Sequence, residues 1–372
     1  MKILHLTGDL EDNGGILSVI RNLKTASEPW GWEHVVWVHR SYREKRPPPL
    51  TYRFSHYLIN ESDRHSELLC GALRALPELK SLLKEENFDV LHAHTRGALP
   101  LAMLIAAVWR RPIVYTCHTL GTRAWLYRMA ARLKNIRLVL LTRNMVEHYG
   151  LKESPPRLSV ISACCADRFF EEPLATDRYA PGRGGPLKLA AFGNIVRWKN
   201  WDLILQAIHQ LPDADRNLID FSLWGPTAGF PDAIKYKEEL DGLVSRFGLE
   251  GRVRFRGPTH SVAEAMRETH WLVHPTPNEP CSVSIMEALA VGLPALVAAG
   301  GGSTEIVQSG KNGLHFTPGS ESDLAAKLRT ILHDPPLIFS AARIRETVRD
   351  RSASSVARKY RALYEEVLAA SI

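Results

Sequence analysis

Short apolar runs alternate along the chain with amphipathic stretches whose apolar residues fall three and four apart. The run "KILHLTG" predicts a buried strand, "GGILSVIRNLKTA" a helix and "HVVWVH" a second strand. "SELLCGALRALPELKSLLKEENF" has the period of a long amphipathic helix, and "DVLHAHT" that of a strand. A helix "ALPLAMLIAAVW", a strand "RPIVYTCHT", a basic helix "RAWLYRMAARLKN" and a strand "RLVLLT" complete this first series. The glycine- and proline-rich "YAPGRGGP" (residues 179–186) then reads as a linker, which ends a first domain at 183.

A second series starts at 184. "LKLAAFGNI", "IDFSLWG", "RVRFRGP" and "WLVHPT" predict strands, with "NWDLILQAIHQL", "AIKYKEELDGLVSRFG" and "SVAEAMRET" as the helices between them. "PALVA", "STEIV" and "GLHFT" continue the alternation, and the chain ends in helices. Near-continuous apolar strands separated by helices imply parallel sheets covered on both faces. The fold class expected is therefore α/β, with two doubly wound Rossmann-like domains. Ligand loops in such domains follow the strands, and here they should face a central cleft.

Composition narrows the setting. Apolar content of 45% and charged content of 23% are ordinary for a globular protein of two domains. Five cysteines (Cys70, Cys117, Cys164, Cys165 and Cys281) are scattered without metal-ligand spacing, which favours a reduced, cytoplasmic chain. The opening "MKILHLTGDL" turns polar too soon for a signal peptide, and the apolar run Ala98–Trp109 is shorter than the roughly 20 residues of a membrane span.

The net charge of +7 is unevenly placed. Residues 1–183 hold 26 basic against 19 acidic side chains, and residues 184–372 hold 21 of each. No acid lies between Asp89 and Glu147, an interval that contains Arg96, Arg110, Arg111, Arg123, Arg128, Arg132, Lys134, Arg137 and Arg143. A solvated basic face explains this as well as an anionic partner does. The partners considered are a membrane leaflet, to which the protein would be peripheral, a lipid phosphate and a charged glycan. Trp125, Leu126, Tyr127 and Met129 among the bases suit an interfacial helix. No aromatic platform or recognised motif points to nucleic acid.

Candidate chemistry clusters after strands. In "NEPCSVSIMEALAVGLP", Ser282 is an expected N-cap, and Gly292 with Pro294 the expected stop. Glu279 then lies ahead of a short helix and Glu287 in its second turn, and between them sit the N–H groups of a helix start, which attract anions. Glu287 stands in so apolar a sequence that its carboxylate needs a partner. Gly14 and Gly15 fall at another helix start, and His118 at a strand's carboxyl end. Asn194, Arg197 and Lys199 follow the first strand of the second domain, where a cation would stabilise a departing diphosphate. The alternative for each is plain structure: an exposed loop base, a turn glycine, a satisfied histidine. The Asp-x-Asp of Asp213 and Asp215 reads as a turn.

"EPCSVSIMEALAVGLPAL" resembles the Glu-x7-Glu signature of the retaining family 4 glycosyltransferases (GT4) of the GT-B fold. "GGILSVIRNL", "FDVLHAH", "PIVYTCHT", "LAAFGNIVRWKNWDLILQAI" and "GGSTEIVQSGKNGLHFTPGSESDLAAKL" are similar to further segments of that family. "SSVARKYRALYEEVL" resembles its final helix, which implies a second domain over 184–350 and a helix over 351–372 that packs back on the first.

The resemblance implies a nucleotide-diphosphate sugar as donor and a glycan or lipid-linked acceptor, in cell-surface polysaccharide or lipopolysaccharide synthesis. It implies retention of anomeric configuration and no metal or other cofactor. Glu279 would hold donor-sugar hydroxyls and Glu287 the ribose. The stretch Cys281, Ser282 and Val283 would bind diphosphate that Lys199 neutralises, Gly15 beside Gly14 would approach it, and His118 would meet the sugar. Three positions depart from the family: Asn194 replaces an arginine, with Arg197 as its substitute; "ACCA" (163–166) replaces Asn-Gly-Val-Asp; and Asn200 replaces a glycine. A GT-B epimerase or phosphorylase, and a non-catalytic nucleotide-sugar binder, are the alternatives.

Overall fold

Residues 1–12, 14–45, 49–59, 62, 64–108, 113–121, 124–153, 157–182 and 185–370 are described by the computed structural model. Within them the chain forms two units, 1–164 with 353–372, and 165–352.

The first unit is built on a parallel sheet of β1 (Lys2–Leu6), β2 (Glu33–His39), β3 (Thr51–Ser55), β4 (Val90–Ala93), β5 (Ile113–Cys117), β6 (Ile136–Leu140) and β7 (Leu158–Val160). Its spatial order is β3-β2-β1-β4-β5-β6-β7. The central strands are buried on both faces, as their largely apolar sequences require. Two strands had no counterpart in the apolar pattern. β3 is an edge strand that leaves Phe54 exposed, and β7 is three residues long, so neither carries a sustained apolar run.

The second unit has a parallel sheet of β8 (Leu187–Phe192), β9 (Ile219–Trp224), β10 (Val253–Gly257), β11 (Trp271–His274), β12 (Ala295–Ala298) and β13 (Gly313–Phe316). Its order is β10-β9-β8-β11-β12-β13. Leu189, Ala191, Phe221, Leu223, Val273 and Leu296 point from these strands into a core closed by Ile204 and Ile208 of one helix, Tyr236 and Leu240 of another, and Leu328 and Ile331 of a third. The segment "STEIV" forms a helical turn, Ser303–Ile306.

The expected domain boundary at 183/184 is corrected. The division falls between Cys164 and Cys165, because the residues after it bond to the second unit. Cys165 N–H donates to Arg351 O, Ala175 N–H to Val291 O, and Arg178 to Gly292 O. Glu172 pairs with Arg267, and its carbonyl accepts from Arg345. Residues 165–182 are thus anchored chain, and Arg183 and Gly184 of the expected linker lie outside the described residues.

The last helix, Ala353–Ala369, belongs to the first unit and packs against the helix Gly15–Ser27. Its Tyr364 hydroxyl bonds His92 Nδ1 of β4 at 2.7 Å, and its Tyr360 hydroxyl meets Thr116 Oγ1 of β5 at 3.0 Å. The apolar run at 98 forms the helix Ala98–Val108, with Ala98, Leu99, Leu101 and Ile105 buried. Among the described residues no helix is long and apolar enough to cross a membrane.

The basic helix is shorter than expected, Ala124–Ala130. Leu126 and Tyr127 are buried, so the four-residue apolar face expected of an interfacial helix is reduced to Trp125 and Met129. Of the nine bases in the acid-free interval, Arg128, Arg132, Lys134 and Arg143 are exposed; Arg96 is half-buried and Arg137 buried. Arg110, Arg111 and Arg123 lie outside the described residues.

Candidate active site

The order of the second sheet reverses between β8 and β11, neighbours that pair Leu189 with Trp271 and Ala190 with Leu272. At such a reversal the two connecting chains leave in opposite directions and open a crevice at the carboxyl ends of the strands. Lys199 follows β8 and Glu279 follows β11.

Lys199 is delivered by a tight path. Gly193 leaves β8 at φ 152°, and Gly225 at the end of β9 comes so close that a Cβ there would lie 2.0 Å from Gly193 O. A 3-10 turn, Arg197–Lys199, closes on Asn200 at φ 62°. Asn200 is the one non-glycine residue with positive φ among the described residues. Asparagine tolerates this left-handed conformation better than other side chains, which explains why it can stand where the family has glycine. Trp201, buried behind the turn, donates from Nε1 to Asn194 O at 3.0 Å and packs edge-on to His274.

Glu279 is fixed through its backbone. Gly302 N–H donates to Glu279 O at 2.7 Å. Gly301 has φ +55°, and a Cβ on it would sit 2.4 Å from the same oxygen; a Cβ on Gly300 would sit 2.1 Å from Pro277 O. Gly300 and Gly301 after β12 thus form, with the Gly302 N–H, a clamp that side chains on the first two would break.

The Glu279 carboxylate is buried. Its Oε2 pairs with Lys199 Nζ and lies 3.3 Å from His274 Nε2. Burial by itself would raise the Glu279 pKa, but the Lys199 charge and the His274 hydrogen bond outweigh it and hold the group down to about 2. Burial pushes the His274 pKa down, against the pull of Glu279, so a neutral imidazole faces the carboxylate. Glu279 Oε1 has no hydrogen-bond partner among the described residues. Lys199 carries three donor protons and gives one to Glu279.

The helix Val283–Ala290 follows. Ser282 Oγ caps it by accepting from Ile285 N–H at 3.4 Å. It ends in paired bonds from Gly292 N–H to Leu289 O and from Leu293 N–H to Ala288 O, with Gly292 at φ 83°. Cys281 and Ser282 are buried at its start, Val283 is its first residue, and Glu287 lies in its second turn, partly buried.

In the first unit the helix Gly15–Ser27 begins after Gly14, whose φ of 110° needs glycine although nothing crowds it. Asp12 and Arg21, both buried, join in a two-pronged pair at 2.7 Å that ties the loop to this helix. His118 follows β5, half-buried, with Nε2 3.1 Å from His94 Nδ1. Burial lowers its pKa to about 4, so it is neutral near pH 7.

Of the residues anticipated from sequence, the structure joins Lys199 to Glu279 and sets Ser282, Val283 and Glu287 on the next helix. Gly14, Gly15 and His118 lie at carboxyl ends of first-unit strands. Arg197 is drawn elsewhere: Glu239 Oε1 lies 2.9 Å from its guanidinium, which stacks over Tyr236, so it does not stand in beside Lys199. Asn194 contributes its backbone carbonyl to Trp201. Asp215 accepts from Arg329 and His333. His274 and the clamp Gly300–Gly302 were missed, although a histidine closing "WLVH" and the run "AGGGS" mark them.

The chain matches the family model described as Glycosyltransferase Family 4 over residues 13–162, and that described as Glycosyl transferases group 1 over residues 178–351. It is 28% identical over 330 residues to a D-inositol 3-phosphate glycosyltransferase of Geodermatophilus obscurus, covering 82% of this chain and 73% of that protein. It is 27% identical over 289 residues to the sulfoquinovosyl transferase SQD2 of Arabidopsis thaliana, covering 71% and 53% respectively. Among solved structures, a sucrose-phosphate synthase from Thermosynechococcus elongatus superposes with TM-score 0.79 at 19% identity, over all of both chains. The Anabaena protein HepE in complex with UDP does so with TM-score 0.73 at 19% identity, over 98% of this chain and 100% of that one. With one family model on each unit and two doubly wound sheets beneath them, the chain belongs to the family 4 glycosyltransferases of the GT-B fold.

Proposed function

We propose that the enzyme binds a nucleotide-diphosphate sugar at the β8–β11 reversal of its second unit and transfers the sugar with retention of configuration. The observation that carries this is an ionised, buried Glu279 with one oxygen engaged by Lys199 and His274 and the other without a partner among the described residues. Such an oxygen accepts from sugar hydroxyls. The two remaining protons of Lys199 serve the diphosphate, and the helix start at Cys281–Val283 adds its dipole, so the leaving group is neutralised without calling on a metal. Glu287, one turn into that helix, takes the ribose.

A carboxylate held at about 2 is too weak a base to take a proton from an acceptor hydroxyl near neutral pH. That supports same-face attack, in which the departing phosphate accepts the proton. HepE, solved with UDP-glucose, supports a nucleotide donor. Screening UDP, GDP and ADP sugars for thermal stabilisation and nucleotide release tests the reading: one donor class should stabilise and turn over, and no response to any of them refutes it.

The acceptor is a glycan or a lipid-linked acceptor of cell-surface polysaccharide or lipopolysaccharide synthesis; a lipopolysaccharide outer core galactosyltransferase, WaaB, superposes with TM-score 0.73 at 14% identity. Exposed Arg128 and Arg132 beside Trp125 and Met129 suit peripheral contact with an anionic leaflet. Reversing both arginines to glutamate should abolish sedimentation with anionic vesicles; unchanged sedimentation removes the membrane from the account.

A further inference from the structure

Five histidines converge inside the first unit, and four of them line up. Ser27 Oγ lies 2.9 Å from His34 Nε2, His34 Nδ1 lies 2.9 Å from His5 Nε2, His5 Nδ1 lies 2.8 Å from His94 Nε2, and His94 Nδ1 lies 3.1 Å from His118 Nε2. Every link joins the Nε2 of one ring to the Nδ1 of the ring before it. The row crosses the sheet from β2 through β1 to the ends of β4 and β5, and runs from buried Ser27 to half-buried His118.

The direction of the protons follows from Ser27. Its Oγ lies 2.7 Å from Leu23 O and 3.1 Å from Lys24 O, and carbonyl oxygens only accept. Its single proton must point there, since two oxygens 2.7 Å apart with no proton between them repel. Toward His34 the hydroxyl can then only accept. His34 therefore carries its proton on Nε2 and leaves Nδ1 bare; His5 must donate to that atom from Nε2, and His94 and His118 repeat the pattern. One proton per neutral ring satisfies every link. Burial keeps His34, His5 and His94 neutral.

We propose that this row of imidazoles is a one-directional relay that fixes His118 as the Nε2–H tautomer, so that its Nδ1 lone pair is left bare to accept a hydroxyl and disfavours an acid group there. His34, His5 and His94 are positioning residues in this scheme. His92 stands beside the row and is engaged by Tyr364 at Nδ1 and Thr116 at Nε2, both at 2.7 Å. The ring nitrogens of His5, His92 and His94 approach one another within 4.8 Å, but each already holds a hydrogen bond, so a metal ion would have to break the row.

The test is two-bond proton–nitrogen correlation NMR on the full-length protein labelled with 15N histidine. Near neutral pH, His34, His5, His94 and His118 should all show a protonated Nε2 and a bare Nδ1. Ser27→Ala removes the terminal acceptor and should bring His118 into a mixture of tautomers while leaving His92 unchanged. A predominant Nδ1–H at His118 in the unmodified protein overturns the proposal without need of any variant. So does a His118 tautomer indifferent to Ser27→Ala, or a change in the four spectra on adding EDTA, which would assign the rings to a metal.

Discussion

Lys199, Glu279 and His274 form the smallest unit on which the account depends. A buried carboxylate is tolerated because a cation and an imidazole share one of its oxygens. Lys199→Met removes the cation and should destabilise the second unit by about 3–5 kcal/mol, the cost of an uncompensated buried charge. Adding Glu279→Gln to that variant should restore most of the loss, because the charge that needed compensation is gone. Denaturant unfolding of the wild type, both single variants and the double variant checks this, and additive losses would mean the two side chains do not compensate each other.

At this scale the sequence was informative about charge and uninformative about support. Glu279 and Lys199 stand out as ionic residues beside apolar runs, whereas the partner of Glu279 on β11 is a histidine inside a strand, a common place for a satisfied core residue. Arg197 shows the opposite error. An exposed base in a βα loop suits phosphate equally well on paper, but Glu239 and Tyr236 on the helix Pro231–Arg246 claim it, and nothing local to Arg197 announces them.

Among the elements, the strands of the first unit carry the histidines: His5 on β1, His34 on β2, His92 on β4, with His94 and His118 just beyond β4 and β5. Burial lowers His34 and His118 from 6.5 to about 4. Between those two pH values the unfolded chain binds protons that the folded chain refuses. Stability is thus full above about 6.5 and is lost as pH falls toward 4, by about 3 kcal/mol for buried His34 and less for half-buried His118. Glu279, held at about 2, titrates below its unfolded value of 4.5 and adds little to this window. Thermal melts across this range should show a steep fall in Tm, and a flat profile would refute the neutral, buried row.

Element legibility followed burial. Strands covered on both faces spell out largely apolar runs, while edge strand β3 and three-residue β7 do not. The short helix Val283–Ala290 was readable from its cap and its stop, since Ser282 and Gly292 perform those roles by their own chemistry. The Gly300–Gly302 clamp was not, because its purpose is the backbone of residues 277–279, more than twenty positions earlier.

For the whole molecule, two doubly wound units and the family were legible because alternation of strands and helices is a repeated, long-range pattern. The division between them was misplaced. A glycine-rich stretch marks where a chain is free to bend, whereas residues 165–182 are tied to the second unit by bonds to Arg351, Val291, Gly292, Arg267 and Arg345 that no local composition reveals. The most direct test of the central claim, that Glu279 grips the sugar of the donor, compares affinities for UDP-glucose and UDP, or for the sugar and free nucleotide of whichever base the screen selects, in the wild type and in Glu279→Gln. The account predicts that the variant binds the free nucleotide as the wild type does and loses about tenfold or more for the nucleotide sugar. Equal losses for the two ligands, or none for either, would contradict it.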